Sequence, residues 1–542
     1  MMDRVRASIH ARLRKSVGVL SHLRPFGMNA RTRASAHSWT LLILTFVLAS
    51  CSRKPEPNTL VVIIESSPTN LDPRVGLDAQ SERIDGLLFD NLLSRDEHLS
   101  VKPGLAERWE IPDAKTYIFH LHRGVSFCDG RPLTSRDVKW SFDSLLQGKI
   151  RSTKAAAYRL VDHIDAPDDS TVIFHLKEPW AGLLWNIAGG EGMGIVPYGS
   201  GNELSRNPVG SGPFRFVGAE QDKEVVIERN DNYWAAKSRV DKVQFLVVPD
   251  TTTRALELRK GSADIAVNAF DFYPEVVSTL ERQAHLGVLR GPGTRLGYMA
   301  FNLRDPILKD VRVRQAIAYA IDRQPLIHYL MRDSARPAAS VLPPESWAFD
   351  DQVQQYSYDP AKARQLLDDA GYKSNNGVRF HLAMKTSTEE SSRAMAAVFQ
   401  QQLRDVGIAL DIRSFEFATF FSDITHGEFQ VYSLRWIGGN EDPEIFEYAF
   451  DTARIIPNGA NRQYYSNPRV DALIEKARTE VDQNARKQNY AAIQEIVAED
   501  LPYINLWYFD NVMVYSKRVR GLALNPSGNY DFLRRAELDS SR

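Results

Sequence analysis

The chain has 542 residues, 43% hydrophobic and 25% charged, a composition ordinary for a globular protein of about three or four domain-sized units. Its 67 basic and 68 acidic side chains nearly cancel, which excludes a polycation for nucleic acid. Two cysteines, Cys51 and Cys128, exclude a disulfide scaffold or a zinc cluster of paired cysteines, and no period of ~20–50 residues marks a solenoid or propeller.

Leu41 to Leu48 reads LLILTFVL, an uncharged apolar run preceded by Arg31 and Arg33 and followed by Ala49, Ser50 and Cys51. A basic flank, a short apolar core and small residues describe a secretory signal peptide. The run is too short to span a bilayer, which takes about 20 residues. Leu48-Ala49-Ser50-Cys51 resembles a bacterial lipobox, which implies that Cys51 is lipidated and becomes the first mature residue. A plain signal peptide or an amino-terminal anchor with a chance cysteine is the alternative. Met28 reads as the start codon, because the residues before it are basic and unpatterned. Beyond residue 50 the chain carries 59 basic and 67 acidic side chains, as suits a soluble extracytoplasmic protein. With Cys51 lipidated, Cys128 has no partner for a disulfide.

Residues 51–58 contain Ser, Lys, Pro and Glu and read as a tether. Leu60 to Ile64 is a continuous apolar run, hence a buried strand, and Ser66-Ser67-Pro68-Thr69-Asn70 breaks it into a loop. Tyr117–Leu121 and Val172–Leu176 alternate as strands, and Thr134 with Asp137 opens a helix through a capping box. A helical stripe follows over 310–323. Asp359-Pro360 starts the next helix and Gly371 closes it. Ser392 to Val406 is helical and ends at Gly407, and Ile408, Leu410 and Ile412 alternate as a strand. Asn467-Pro468 and Asp482 open the last two helices. Helices interleaved with short apolar strands predict an α/β fold. No Pro/Gly/Ser-rich linker divides the chain, so its lobes are packed together or crossed by several strands.

The common catalytic motifs are absent. There is no His-Glu-x-x-His, no Gly-x-Ser-x-Gly elbow and no Walker phosphate loop. Gly210-Ser211-Gly212 has the wrong spacing for a nucleophile elbow. His120 and His122 share one face of a strand, but two imidazoles without further ligands make a weak metal site. Cys128 has no assignable base, so an inert thiol is expected. No cofactor, metal or catalytic residue is expected. Trp180, Trp185, Trp436, Trp507 and Tyr508 stand near loop signals, and aromatics with a few polar anchors are how ligand clefts are commonly built.

The segment from Arg123 to Thr134, RGVSFCDGRPLT, resembles a signature of the family 5 extracellular solute-binding proteins, the peptide- and nickel-binding receptors of ABC importers. Further similarities run in the same order. They are Leu71-Asp72-Pro73, then Pro208 to Phe214, then Phe301-Asn302 with Val313 to Ile317 and Ala320 to Arg323. Tyr358 to Ala363, Ala370-Gly371-Tyr372 and Trp436 to Phe446 complete the set. The resemblance implies a type II periplasmic-binding-protein fold with two lobes, an extra subdomain in the first, and a hinge of two crossings. The first lobe would take residues 59–295 and 505–542, the second 296–504. The ligand would lie between them, at strand carboxyl ends where Ser66 and Ser67 fall. A permease and ATPase are the implied partners, with a lipid-tethered, periplasmic or cell-surface location and a monomeric state.

The departures bear on the ligand. Dipeptide and oligopeptide receptors resemble one another in a cleft loop Trp-x-Gly-Asp-Asn-x-Asp-Pro whose first Asp pairs with the peptide ammonium. Here the loop reads Trp436-Ile437-Gly438-Gly439-Asn440-Glu441-Asp442-Pro443, with Gly439 in place of that Asp. Glu441 or Asp442 is the candidate substitute, and Lys385 the candidate for an Arg that grips the ligand carboxylate. Gly438 and Gly439 would admit a ligand close to the backbone. Arg435, Trp436, Asn440, Asp442, Trp507 and Tyr508 complete the expected contacts. A peptide-like solute is the expected ligand. An oligosaccharide or metal chelate is the alternative, and an extracytoplasmic hydrolase the alternative of another class.

Overall fold

The computed structural model describes residues 58–188, 193–269, 274–438 and 441–539. The leader, Cys51, Gly439 and Asn440 lie outside the described residues. Among those described, no helix is long and apolar enough to cross a membrane.

The run TLVVII forms the strand Thr59–Ile64, buried at every position. It lies between Lys242–Val247 and Ile265–Val267, parallel to both, within a sheet of seven. Burial on both faces explains why its apolar residues do not alternate with polar ones. Leu60, Val62 and Ile64 pack with Ile84, Leu87 and Leu88 of the helix Ala79–Leu88. Val61 and Ile63 pack on the other face with Leu258, Val277 and Leu280.

A second sheet of six strands is centred on Leu296–Phe301, again wholly buried. Its two faces carry separate cores. Met299 and Phe301 meet the helices Val311–Ala320, Pro360–Asp369 and Glu390–Arg404. Leu296, Tyr298 and Ala300 meet Pro468–Thr479 and Gln483–Asp500. The helix starts read from sequence are capped as expected, by Asp310, Asp359, Asn467 and Asp482. Thr134 and Asp137 form the capping box of Ser135–Leu146.

An antiparallel sheet of four strands is inserted between the first and second strands that enter the seven-stranded sheet from the amino terminus. Thr116–Leu121 and Thr171–Leu176 alternate strictly between half-buried and buried. Phe174 meets Phe119, and Phe142 of the covering helix, edge to face, at 5.5 and 4.9 Å between ring centres.

The chain passes between the two large sheets twice. It leaves Leu286–Gly291 through Pro292 to Arg295 and enters the second sheet at Leu296. It returns at Asp510, between Tyr503–Phe509 and Asn511–Ser516. Tyr503–Phe509 pairs antiparallel with Leu296–Phe301 and Ala335–Pro337 and so belongs to the second sheet. The two crossings lie side by side. Phe509 N donates to Arg295 O at 2.8 Å, and the Asn511 amide donates to Pro292 O at 3.1 Å. Gly293 permits this approach, since a Cβ there would stand 2.2 Å from Phe509 O.

Candidate ligand cavity

A cavity of about 690 Å³ opens beside these crossings, within the usual size of small-molecule sites. One wall is the helix Ala79–Leu88, through Glu82, Arg83 and Asp85. Opposite are the hairpin strands Leu93–Arg95 and Val101–Pro103, with Arg95 and Lys102 on the wall. Residues between 521 and 535 close a third side, bringing Tyr530, Phe532 and Arg534. Glu441 reaches the cavity from the loop that follows the second-sheet strand Val431–Trp436.

Glu441 is held at that position from two directions. Its Oε2 lies 3.1 Å from Arg95 Nη1, and Thr294 Oγ1 donates to its Oε1 at 3.1 Å. Arg95 belongs to the hairpin and Thr294 to the first crossing, so a residue of the second lobe's loop is tied to the first lobe. Arg95 also stacks over Trp185, 5.0 Å from its ring centre.

Two buried carboxyl groups on the wall differ in kind. Asp90 accepts from Tyr233 OH, Trp234 Nε1 and Ser211 Oγ at 3.1, 2.8 and 3.2 Å. Asp85 is buried, and neither of its oxygens has a hydrogen-bond partner among the described residues. Burial drives its carboxyl well above the usual range, against the pull of Lys154, while Asp72, Glu82 and Asp78 push the same way as burial.

The expected contact residues fall elsewhere. Ser66 and Ser67 do sit at the carboxyl end of the first strand, but they lie outside the cavity wall; Ser67 Oγ accepts from Asp222 N at 2.8 Å in a neighbouring turn. Arg435 lies over the Phe509 ring and Trp436 stacks on Tyr298. Gly438 takes a left-handed φ of 83° and turns the loop toward Glu441. Asp442 Oδ1 accepts from Glu444 N at 2.8 Å. None of these four lines the cavity. Trp507 and Tyr508 are core residues. Trp507 stacks on Phe399, and the Tyr508 hydroxyl donates within the second lobe, with Ser340 O and Leu342 O both at 2.6 Å. Both aromatics belong to the second-sheet strand Tyr503–Phe509. Lys385 pairs with Asp423 at 2.7 Å and is already engaged. Among the described residues, Glu441 is the one candidate on the wall. The helix Ala79–Leu88 and residues 521–535 gave no motif; the one trace in sequence is a dense mixture of charge signs.

The motifs behind the family resemblance are structural. Arg74, fully buried, forks onto Asp72 at 2.9 and 2.7 Å. Gly210 and Gly212 press against the carbonyls of Leu87 and Leu88, where a Cβ has no room. Arg314 donates to backbone carbonyls of Leu308, Lys309 and Leu501. Cys128 is half-buried, and burial pushes its thiol up, as expected for an inert group. His120 Nε2 lies 3.0 Å from Glu110 Oε1, and His122 Nδ1 lies 3.7 Å from Glu107 Oε2.

Residues 100–457 match the family model described as bacterial extracellular solute-binding proteins, family 5 middle. The chain is 27% identical over 521 residues to the dipeptide-binding protein of Escherichia coli K12, covering 90% of this chain and 96% of that one. It is 27% identical to heme-binding protein A of Haemophilus influenzae, covering 91% and 97%. Its structure is similar to that of NikZ from Campylobacter jejuni in complex with Ni(L-His), with a TM-score of 0.71, 25% identity and coverage of 89% and 100%. The chain belongs to the family 5 bacterial extracellular solute-binding proteins, a family that binds solutes and carries out no catalysis.

Proposed function

We propose that this protein is the lipid-anchored receptor of an ABC importer and captures a peptide-like solute in the cavity beside the two crossings. One observation carries the choice of ligand. The cavity wall holds charges of both signs, Arg83 and Lys102 among the cations, together with Asp85, a buried carboxyl whose oxygens have no hydrogen-bond partner among the described residues. A buried acid of this kind is relieved by a cation brought next to it. A peptide supplies an ammonium at one end and a carboxylate at the other. Asp85 would then take the part that Asp plays in the cleft loop of dipeptide receptors, where this chain has Gly439. Glu441 would couple ligand capture to lobe closure, because it bridges the loop of one lobe and the hairpin of the other. Closure is then a shift of population toward the state in which both lobes touch the ligand.

Thermal melting of residues 52–542 against short peptides, sugars and nickel chelates tests this. A ligand at 100 times its dissociation constant stabilises by about 2.7 kcal/mol. Free peptides raise the midpoint, and acetylating their amino terminus weakens the shift. Shifts with sugars or chelates alone would remove the peptide assignment and leave the receptor role standing. The anchor is tested separately: Cys51→Ser moves the protein from the membrane fraction to the soluble one, and an unchanged distribution would refute lipidation.

A further inference from the structure

The exposed face of the four-stranded sheet carries a second candidate site. His163 of Val161–Asp168 lies directly opposite His175 of Thr171–Leu176 in the antiparallel register. Their rings stack at 4.3 Å between centres and 11° between planes. Asp165, two residues beyond His163 on the same strand face, places Oδ2 3.3 Å from His175 Nε2 and 3.8 Å from His163 Nε2. One donor atom from each residue lies within 4.8 Å of the other two. Ligand atoms around a tetrahedral ion with bonds of 2.0–2.1 Å stand about 3.3 Å apart. The three donors need only small rotations to reach that spacing.

The strand is built for this. A register shift between Val161 and His163 leaves two consecutive residues, Asp162 and His163, on the exposed side between buried Val161 and Ile164. A bulge of this kind re-aims a side chain. Here it sets Asp162 Oδ2 2.8 Å from His163 Nδ1. A carboxylate on Nδ1 keeps the proton there and leaves the Nε2 lone pair for a metal, the usual support of a ligating histidine.

We infer that His163, His175 and Asp165 form a surface site for a divalent transition-metal cation, with Asp162 as the residue that orients His163. Two imidazoles and one carboxylate suit zinc, nickel or copper(II) rather than calcium or magnesium. The site is separate from the ligand cavity, and none of its residues lies on that wall.

Calorimetric titration of the purified protein with zinc ion alone, in chelator-free buffer, tests the site. The wild type shows one binding event. His163→Gln with His175→Gln lowers its affinity at least ~100-fold, and Asp162→Asn lowers it roughly 10-fold, the scale of an orienting partner. His120→Gln leaves it unchanged, which separates the site from the other histidine pair. All three ligands are exposed or half-buried, so the metal-free melting temperature of each variant stays at the wild-type value. Copper(II) electron paramagnetic resonance reads two nitrogen couplings in the wild type and loses them in the double variant. No heat with the wild type, or equal affinity in the double variant, overturns the inference.

Discussion

The Trp180 indole donates to Glu444 Oε1 at 2.9 Å across 264 residues of sequence. Trp180 follows the four-stranded sheet, and Glu444 belongs to the loop that also carries Glu441. The contact is close because Gly182 has no side chain; a Cβ there would overlap the Glu444 carboxylate at 1.7 Å. Arg478 O accepts from Ala181 N at 2.9 Å beside it, so the inserted sheet is fastened to the second lobe.

The burial of Glu444 makes stability depend on pH. Burial, then repulsion from Asp442, raises the Glu444 carboxyl from its ordinary 4.5 to about 8, with Arg486 and Trp180 opposing. Between those values the folded state keeps a proton that the unfolded state has released. Stability is therefore full below the lower value and falls as pH rises toward 8, by up to about 1.4 kcal/mol per unit for one group. Melting midpoints from pH 5 to 8 follow this slope in the wild type, over the background of other groups. Glu444→Gln flattens it and is the more stable of the two at pH 8.

Removing one partner of the buried pair Asp72–Arg74 leaves a carboxylate without its cation. Both side chains are almost wholly inaccessible, at 2% and 0% exposure. Breaking such a pair typically costs about 3–5 kcal/mol. Urea unfolding of Arg74→Met gives that loss, whereas Arg215→Met, on an exposed pair with Glu228, changes stability by less than about 1 kcal/mol.

Gly210→Ala strains the chain at a backbone contact. The added Cβ would stand 2.0 Å from Leu88 O, and a carbonyl at a helix end cannot rotate away as a flexible side chain does. Overpacking of this kind costs roughly 1–3 kcal/mol. Gly218→Ala, where a Cβ meets nothing within 4 Å, is the control, and thermal melting compares the two.

Asp85→Asn separates ligand capture from folding. The substitution relieves a buried acid whose charge is opposed by its surroundings, so the unliganded protein is at least as stable as the wild type. Peptide affinity falls at least ~10-fold, as for a charged partner lost from a buried pair, and amino-terminal acetylation no longer matters. Calorimetry of free and acetylated peptides with both proteins reads the two effects together.

The α/β class and the helix starts at Thr134, Asp310, Asp359, Asn467 and Asp482 were legible, because caps act within a few residues. Asp310, Asp359, Asn467 and Asp482 each bond to a backbone amide two or three positions on. The cavity was not legible. Trp507 and Tyr508 stand near loop signals in the sequence and read as ligand contacts, yet they complete a strand whose partners lie some 170 to 210 residues earlier. Asp85 carries no signal in the sequence, since its surroundings are set by Lys154, Asp72 and residues of the carboxyl-terminal segment meeting the same helix. His120 and His122 were visible as a pair because they are neighbours in sequence. His163 and His175 meet only through the register of two strands and a bulge.

The sequence by itself determined the α/β class, the capped helices it named and the family resemblance, since these rest on local bonds and on patterns within short stretches of the chain. The tertiary structure alone decided which acid is buried without a partner, which aromatics are core, and which histidines face each other. Those outcomes depend on distances between segments that no local pattern encodes, and desolvation turns each such distance into a large energy.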